Sequence, residues 1–382
     1  MSSQVRIGLL APLTGPRGTV GRDAVRGAQL AAGLVNESSK VALPLAAGAG
    51  MPGLGGATLR IEPGDTAGDP ERAATQAVRL VTAQRVAGLV NVGETQVTAV
   101  ASERTERIGV PFVDSGAPAT FLTQRGMDWY FRVGPNDRML GEQLLSMLQQ
   151  SRMVSARKLA IVHSGDTAGT DMSVALESLA GEGGYAVLTN LSLPTQASGV
   201  TALVWQLRAA APDAVLAATA QPTDSNALLN GFSTVGWRPP VTMAMGAGFV
   251  PQSVLASIPD NGPGVLRSAA WSAELAGRNP VARQVAALYQ RRFGAPMNET
   301  AARAFSATLV LAQGIDAARS VDAGRVRAAL LALEVPGRDT IMPWDGIRFD
   351  GTGQNIEAGA VVERLAQGQA HVVFPPELAT RS

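Results

Sequence analysis

The chain of 382 residues contains no cysteine. Disulfides, thiolate nucleophiles and thiolate-ligated metals are excluded with it, and no lipid-anchoring cysteine lies within these residues. Histidine is nearly missing as well. His163 and His371 are the only two and lie far apart in sequence, so no histidine cluster for a metal exists. Lysine occurs only at Lys40 and Lys158, and the other basic residues are arginine. Lys and Arg total 32 against 31 Asp and Glu, a net charge of +1. No basic tract stands out, which argues against nucleic acid or an anionic membrane surface as a partner. No apolar run is long enough to cross a bilayer, and no secretory leader is visible. Residues 1–3 lead almost directly into the first apolar run. We read this as a mature domain whose export signal has been removed, although a cytoplasmic protein would open the same way.

What is present describes a globular chain. Hydrophobic residues make up 46% and charged residues 16%, which excludes disorder and leaves material for two substantial cores. The most informative stretch is residues 5–37. An apolar run at 5–10 ends in a Pro/Gly-rich loop, and a long helical pattern follows. In open α/β sheets, ligands bind at such strand-to-helix loops, where helix N-termini present unpaired N–H groups. Asp69-Pro70-Glu71 is a helix start, with Asp as N-cap and Pro in the first turn. Runs at 86–92 and 110–115 read as buried parallel strands flanking a helix near 96–107. Residues 57–62 are strand-like. A second series follows at 158–163, 185–190, 213–219 and 241–245, with helices at 200–210 and 225–235. Two helices near 281–293 and 299–319 precede a terminal hairpin, 359–366 and 369–374, turning at Gln367-Gly368. The fold class is α/β, with two doubly wound Rossmann-like lobes in succession.

The wording of several loops is distinctive. It includes Leu10-Ala11-Pro12-Leu13-Thr14-Gly15-Pro16 with Gly18, Gly21 and the helix from Arg26-Gly27-Ala28. Asp65-Thr66 with Asp69-Pro70 and Leu122-Thr123-Gln124-Arg125-Gly126 before Phe131-Arg132 come next. Trp344-Asp345-Gly346-Ile347-Arg348-Phe349-Asp350 with Gly353-Gln354-Asn355 closes the set. Together, in this order, they resemble periplasmic solute-binding proteins of the leucine/isoleucine/valine type. These are type I receptors that feed ABC importers. The resemblance implies two lobes joined by three crossings, near 133–135, 269–271 and 345–351. It places 1–134 with 271–345 in lobe I and 135–270 with 346–382 in lobe II. A solute would be buried in the cleft between the lobes by hinge closure. It also implies a periplasmic location, a small-molecule solute and a membrane permease as partners, no enzyme activity, no cofactor and no direct membrane insertion.

On that reading the strand-end loops carry the site. In lobe I, backbone N–H groups at Gly93, Gly116 and Ala117 and the hydroxyls of Thr14, Thr95 and Ser115 can hold a carboxylate. In lobe II the corresponding residues are His163, Thr167, Gln221, Gly246 and Ala247. Departures from the family pattern matter here. The acid that usually holds an α-ammonium falls on Ala247, and covering tyrosines fall near Val20, Ala168 and Ala220 or Gln221. A buried ammonium without a carboxylate partner is costly. Either Glu94 supplies the acid, or the solute lacks an ammonium and Arg17 meets its carboxylate. The plainer alternatives are a helix-capping Glu94 and a solvated Arg17.

Two other motifs read more simply as structure. Gly48-Ala49-Gly50-Met51-Pro52-Gly53 matches a dinucleotide fingerprint but precedes a strand instead of opening a helix, so it reads as a loop, within an apparent low-complexity insertion at 46–56. His163-Ser164-Gly165-Asp166 places triad-type residues side by side. Neighbours at a strand end point in different directions, so a strand-end loop fits better than a hydrolase centre. A cytoplasmic ligand-sensing regulator on the same fold remains the alternative to a transport receptor.

Overall fold

A computed structural model describes residues 4–150, 157–260 and 262–379. The chain divides into two compact units. One holds the residues up to Pro135 together with Ala270–Gly359, and the other holds Asn136–Ala269 and the residues from Ala360 on.

The first unit begins with β1 (Gln4–Ala11), α1 (Gly18–Asn36), β2 (Thr58–Asp65) and α2 (Pro70–Thr82). It continues with β3 (Leu89–Asn91), α3 (Thr95–Glu106), β4 (Phe112–Asp114) and β5 (Tyr130–Arg132). The five strands are parallel in the order β2-β1-β3-β4-β5. The order reverses between β1 and β3, which makes that crevice the topological switch point. The helix start at Asp69 forms as the sequence predicts. Its carboxylate accepts a hydrogen bond from the Arg72 N–H at 2.6 Å, and Pro70 opens the helix. β3 and β4 are shorter than their apolar runs; before β4, Pro111 has no N–H to give to a ladder. Pro63 is tolerated within β2 because β2 is an edge strand.

The second unit contains α4 (Asp137–Gln150), β6 (Lys158–His163), α5 (Thr167–Glu182), β7 (Ala186–Ser192) and α6 (Ala197–Ala210). It continues with β8 (Ala214–Ala218), α7 (Pro222–Val235), β9 (Thr242–Met245), α8 (Pro251–Val254) and β10 (Val265–Ala269). The chain then returns to the first unit with α9 (Pro280–Phe293), α10 (Glu299–Ala318), α11 (Ala323–Leu331) and a ribbon of β11 (Glu334–Pro336) and β12 (Gly346–Arg348). It ends in the second unit with the predicted hairpin, β13 (Val361–Ala366) and β14 (Gln369–Phe374). Gln367 and Gly368 both take positive φ, 51° and 70°, as a two-residue hairpin turn requires.

The second sheet runs β14-β13-β10-β9-β8-β6-β7, and its β7-β6-β8-β9-β10 portion repeats the order of the first sheet, with its switch point between β6 and β8. Alternate residues explain why these strands read as unbroken apolar runs. Ile161, Leu216 and Met243 face Leu144, Leu148 and Leu176, while Val162, Val215 and Ala244 face Val204, Leu228 and Phe232. Both faces are covered by helices, so no polar alternation is needed. In the first unit α1 packs against α10 closely enough that a Cβ on Gly27 would collide with the Ala301 backbone.

One boundary departs from expectation. Residues 346–359, assigned to lobe II by the resemblance, pack with the first unit. β12 pairs with β11, and the following turn is sewn to β5. Arg132 N–H donates to the Gly353 carbonyl at 2.8 Å, and Asn355 N–H donates to the Arg132 carbonyl at 2.9 Å. The Asn355 amide donates to the Val133 carbonyl at 2.9 Å, and the buried Arg132 Nε donates to Gln354 Oε1 at 2.7 Å. These bonds satisfy the Nε–H of a buried guanidinium and five backbone groups at once, and they hold the segment to the strand it follows in space.

Candidate functional site

The strand-end rim of the first unit is built around its switch point. Arg17, in the loop after β1, forms an ion pair and hydrogen bond with Glu94, the residue preceding α3. Both side chains are partly exposed, 26% and 33%. The two residues considered separately as partners for opposite charges on a solute are therefore partners of each other. Thr95 is buried in the first turn of α3, and Gly93 sits where a Cβ would press on Asn91 and Val97 at 3.1 Å.

Several donors expected to face a solute are already engaged. The Thr14 hydroxyl donates to Asp65 Oδ2 at 2.7 Å, while the Leu13 and Thr14 N–H groups donate to Oδ1. Burial opposes ionisation of Asp65, but these hydrogen bonds outweigh it and hold the carboxyl below its ordinary value. After β4 the same device recurs one layer deeper. The Gly116 and Ala117 N–H groups donate to Asp114 at 3.2 and 3.1 Å. Ser115 gives both its N–H and its hydroxyl to the Asn91 carbonyl. Asp114 is fully buried and also accepts from the Asn91 amide and the Tyr130 hydroxyl. Burial raises its carboxyl above the ordinary value despite those donors and nearby Arg132. Burial, with the Asp114 charge, pushes the Tyr130 hydroxyl well up. From the other side, Arg303 on α10 donates to the Gly116 carbonyl at 2.9 Å. Loop 115–117 is thus a rigid element clamped at both its N–H and C=O groups, and not an open anion cradle.

The second unit's rim is sewn across its own switch point. The buried Ser164 hydroxyl donates to Asp166 at 3.2 Å and accepts from the Ala220 N–H at 3.3 Å. Thr219 and Ser225, both fully buried, share a hydrogen bond of 2.6 Å, and the Gly248 N–H donates to the Thr219 carbonyl. Gly246 takes φ 97° and has no room for a Cβ against that same carbonyl. Asp166 caps α5 through the Gly169 N–H at 2.7 Å. His163 places Nδ1 2.8 Å from the Ser164 carbonyl, so the triad-type neighbours are arranged for loop structure. Gly165, Thr167 and Ala247 are exposed, and Gln221 is half-buried. Asp224, in the first turn of α7, has its carboxyl raised by burial and then by the charge of Asp166. Among the described residues no group of His, Asp and Glu is arranged to hold a metal ion.

The sequence reading missed Asp65, Asp114, Arg303 and Asp224. Asp65 and Asp114 each close a strand, and an acid at that position is a legible signal for a carboxylate that caps the next loop. Arg303 had no local signal, because α10 reaches loop 115–117 only through tertiary packing.

Each unit thus has a five-stranded parallel array of the same order with a hydrogen-bonded rim at its switch point. Residues 4–369 match the family model described as periplasmic binding protein. The chain belongs to that family. It is 24% identical over 390 residues to the Leu/Ile/Val-binding protein homolog 7 of Brucella abortus, covering 99% of this chain and 93% of the relative. An ABC transporter substrate-binding protein of Desulfitobacterium hafniense, solved with Leu, superposes with a TM-score of 0.80 at 17% identity, covering 97% of this chain and 100% of the other. A solute-binding protein of the ABC transporter from R. palustris, solved with benzoate, gives a TM-score of 0.74 at 16% identity, covering 97% and 96%. The likeness to leucine/isoleucine/valine-type receptors and the type I fold are thereby shown, in a family of binding proteins. No described helix is long and apolar enough to cross a membrane.

Proposed function

We propose that the protein is an extracytoplasmic receptor that delivers a small carboxylate-bearing solute to the permease of an ABC importer, and that its grip differs from the usual α-amino-acid grip. The observation that carries the reading is the Arg17–Glu94 pair at the β1/β3 switch point. A solute carboxylate can displace Glu94 and take the Arg17 guanidinium in a two-point hydrogen bond. Glu94, once released, is available to an ammonium if the solute has one. Ala247 is exposed and brings no acid to the second rim. The benzoate-bound neighbour supports a solute without an amine on the same fold. Thr95 and Gly93 supply the helix N-terminus beside the pair, and Thr167, Gln221, Gly246 and Ala247 are the second unit's contribution to recognition.

The test is isothermal titration calorimetry against leucine, benzoate and a panel of aliphatic and aromatic acids, repeated with Arg17→Gln. An acid should bind, leucine should bind weakly or not at all, and Arg17→Gln should weaken the acid at least about tenfold. Tight leucine binding that survives Arg17→Gln would sink the reading.

A further inference from the structure

The connection between α1 and β2, which looks like a low-complexity insertion in sequence, is an ordered part of the first unit. Ser39 N–H donates to the Ala46 carbonyl at 2.8 Å, Gly50 N–H to Val35 at 2.7 Å, and Gly53 N–H to the Asp316 carboxylate at 2.7 Å. Its start forms one wall of a groove whose other wall is α9, with a volume of about 430 Å³. Ligand sites are commonly 300–1,000 Å³. The groove lining includes apolar Val41, Ala287 and Leu288 together with Lys40, Arg283 and Arg291. No acidic residue lines it. None of the three cations is ion-paired to a carboxylate among the described residues. Three cations without a carboxylate partner among the described residues thus line one groove with apolar side chains between them.

The geometry is also directional. Arg283, Ala287 and Arg291 recur every four residues on α9, so the two guanidinium-bearing positions lie about 12 Å apart along the helix, with apolar surface between them. Arg283 is held in place, donating from Nε to the Ala276 carbonyl at 3.3 Å and from Nη2 to Gly277 at 2.7 Å. Neutral carbonyls orient the guanidinium but leave its charge unbalanced. The groove is separate from the rim. α1 runs back from the strand ends, so the chain that follows Asn36 lies at the opposite pole of the unit.

We propose that this groove is a second binding site, for an elongated organic dianion whose two charged ends meet the cations while its apolar body lies on Val41, Ala287 and Leu288. The experiment is calorimetry on the full chain with dodecanedioate, with dodecanoate and inorganic phosphate as comparisons, at low and high salt. Dodecanedioate should bind more tightly than either comparison and should weaken with salt. Lys40→Glu and Arg291→Glu should each weaken it about tenfold or more, and Arg17→Gln should leave it unchanged. All three cationic side chains are exposed, so the reversals should unfold at the wild-type temperature; Lys40→Gln and Arg291→Gln replace them if they do not. Equal affinity for dodecanoate and dodecanedioate would overturn the proposal. So would binding that resists both reversals, or loss on Arg17→Gln, which would put the dianion at the strand-end rim.

Discussion

Two arginine–glutamate pairs in this protein use the same chemistry for different ends. Arg17 and Glu94 meet on two loops at the first unit's switch point, each still partly open to water. Arg267 and Glu363 meet across β10 and β13 of the second sheet, directly opposite in register, at 2.7 Å and 4% exposed. The buried pair is enclosed by strands whose partners are set by backbone hydrogen bonds, so separating the two charges would leave each without this counter-charge in a dry place. The rim pair is held by loops and half-solvated, so exchanging one partner for a solute group costs little. The environment, not the residue types, decides which pair is locked between strands and which stays partly open to water.

That comparison can be broken most sharply at the buried pair. Glu363→Ala should cost about 3–5 kcal/mol of unfolding free energy by leaving Arg267 without its carboxylate. Urea denaturation checks this, and a loss under 1 kcal/mol would mean the pair does not pin the register. Glu94→Gln should cost less than about 1 kcal/mol, as for an exposed pair. The same change should raise affinity for a simple carboxylate several-fold, because Arg17 no longer has a competitor. A fall in affinity would instead assign Glu94 to an ammonium.

Smaller effects test the carboxylates that set the rims. Asp65 is depressed in the folded state, so its stabilisation is present above its unfolded value, near 3.9, and is lost as pH falls through the folded value. Removing the Thr14 hydroxyl with Thr14→Val should therefore lower the melting temperature slightly at pH 7, and the difference should vanish in acid. Asp224 behaves oppositely. Its raised value favours the neutral carboxyl in the folded state, so ionisation at higher pH is a small cost. Asp224→Asn should raise the melting temperature slightly near pH 7 and lose that advantage as pH falls through the carboxylate range. An unchanged pH profile in a thermal-shift series would show that the Asp224 carboxyl is not raised in the folded protein.

Local chemistry carried much of the fold. Asp69-Pro70 is a helix start whose N-cap bond needs nothing beyond its own turn, and Gln367-Gly368 is a hairpin turn fixed by two positive φ values. The apolar runs at 158–163, 213–219 and 241–245 read as strands covered on both faces, and β6, β8 and β9 are buried in that way, whereas β7 at the sheet edge alternates between exposed and half-buried residues. The ribbon of β11 and β12 was not legible. Its strands are three residues each, too short for a period to show.

The candidate site divides along the same line. Which loops follow which strands, and that Arg17 and Glu94 lie on two of them, is a property of the sequence alone, because the strand–loop–helix order is local. Which donors on those loops still face outward was decided by tertiary structure. Asp65 lies 51 residues from Thr14, Arg303 lies 187 residues from Gly116, and the strand that presents Asn91 to Ser115 is its neighbour only after the sheet forms. A hydrogen-bond donor has no fixed direction until its acceptor is in place. The sequence could therefore name the groups at the rim, but only packing decided which were already spoken for, and that the two charges read as rivals for a solute are paired with each other.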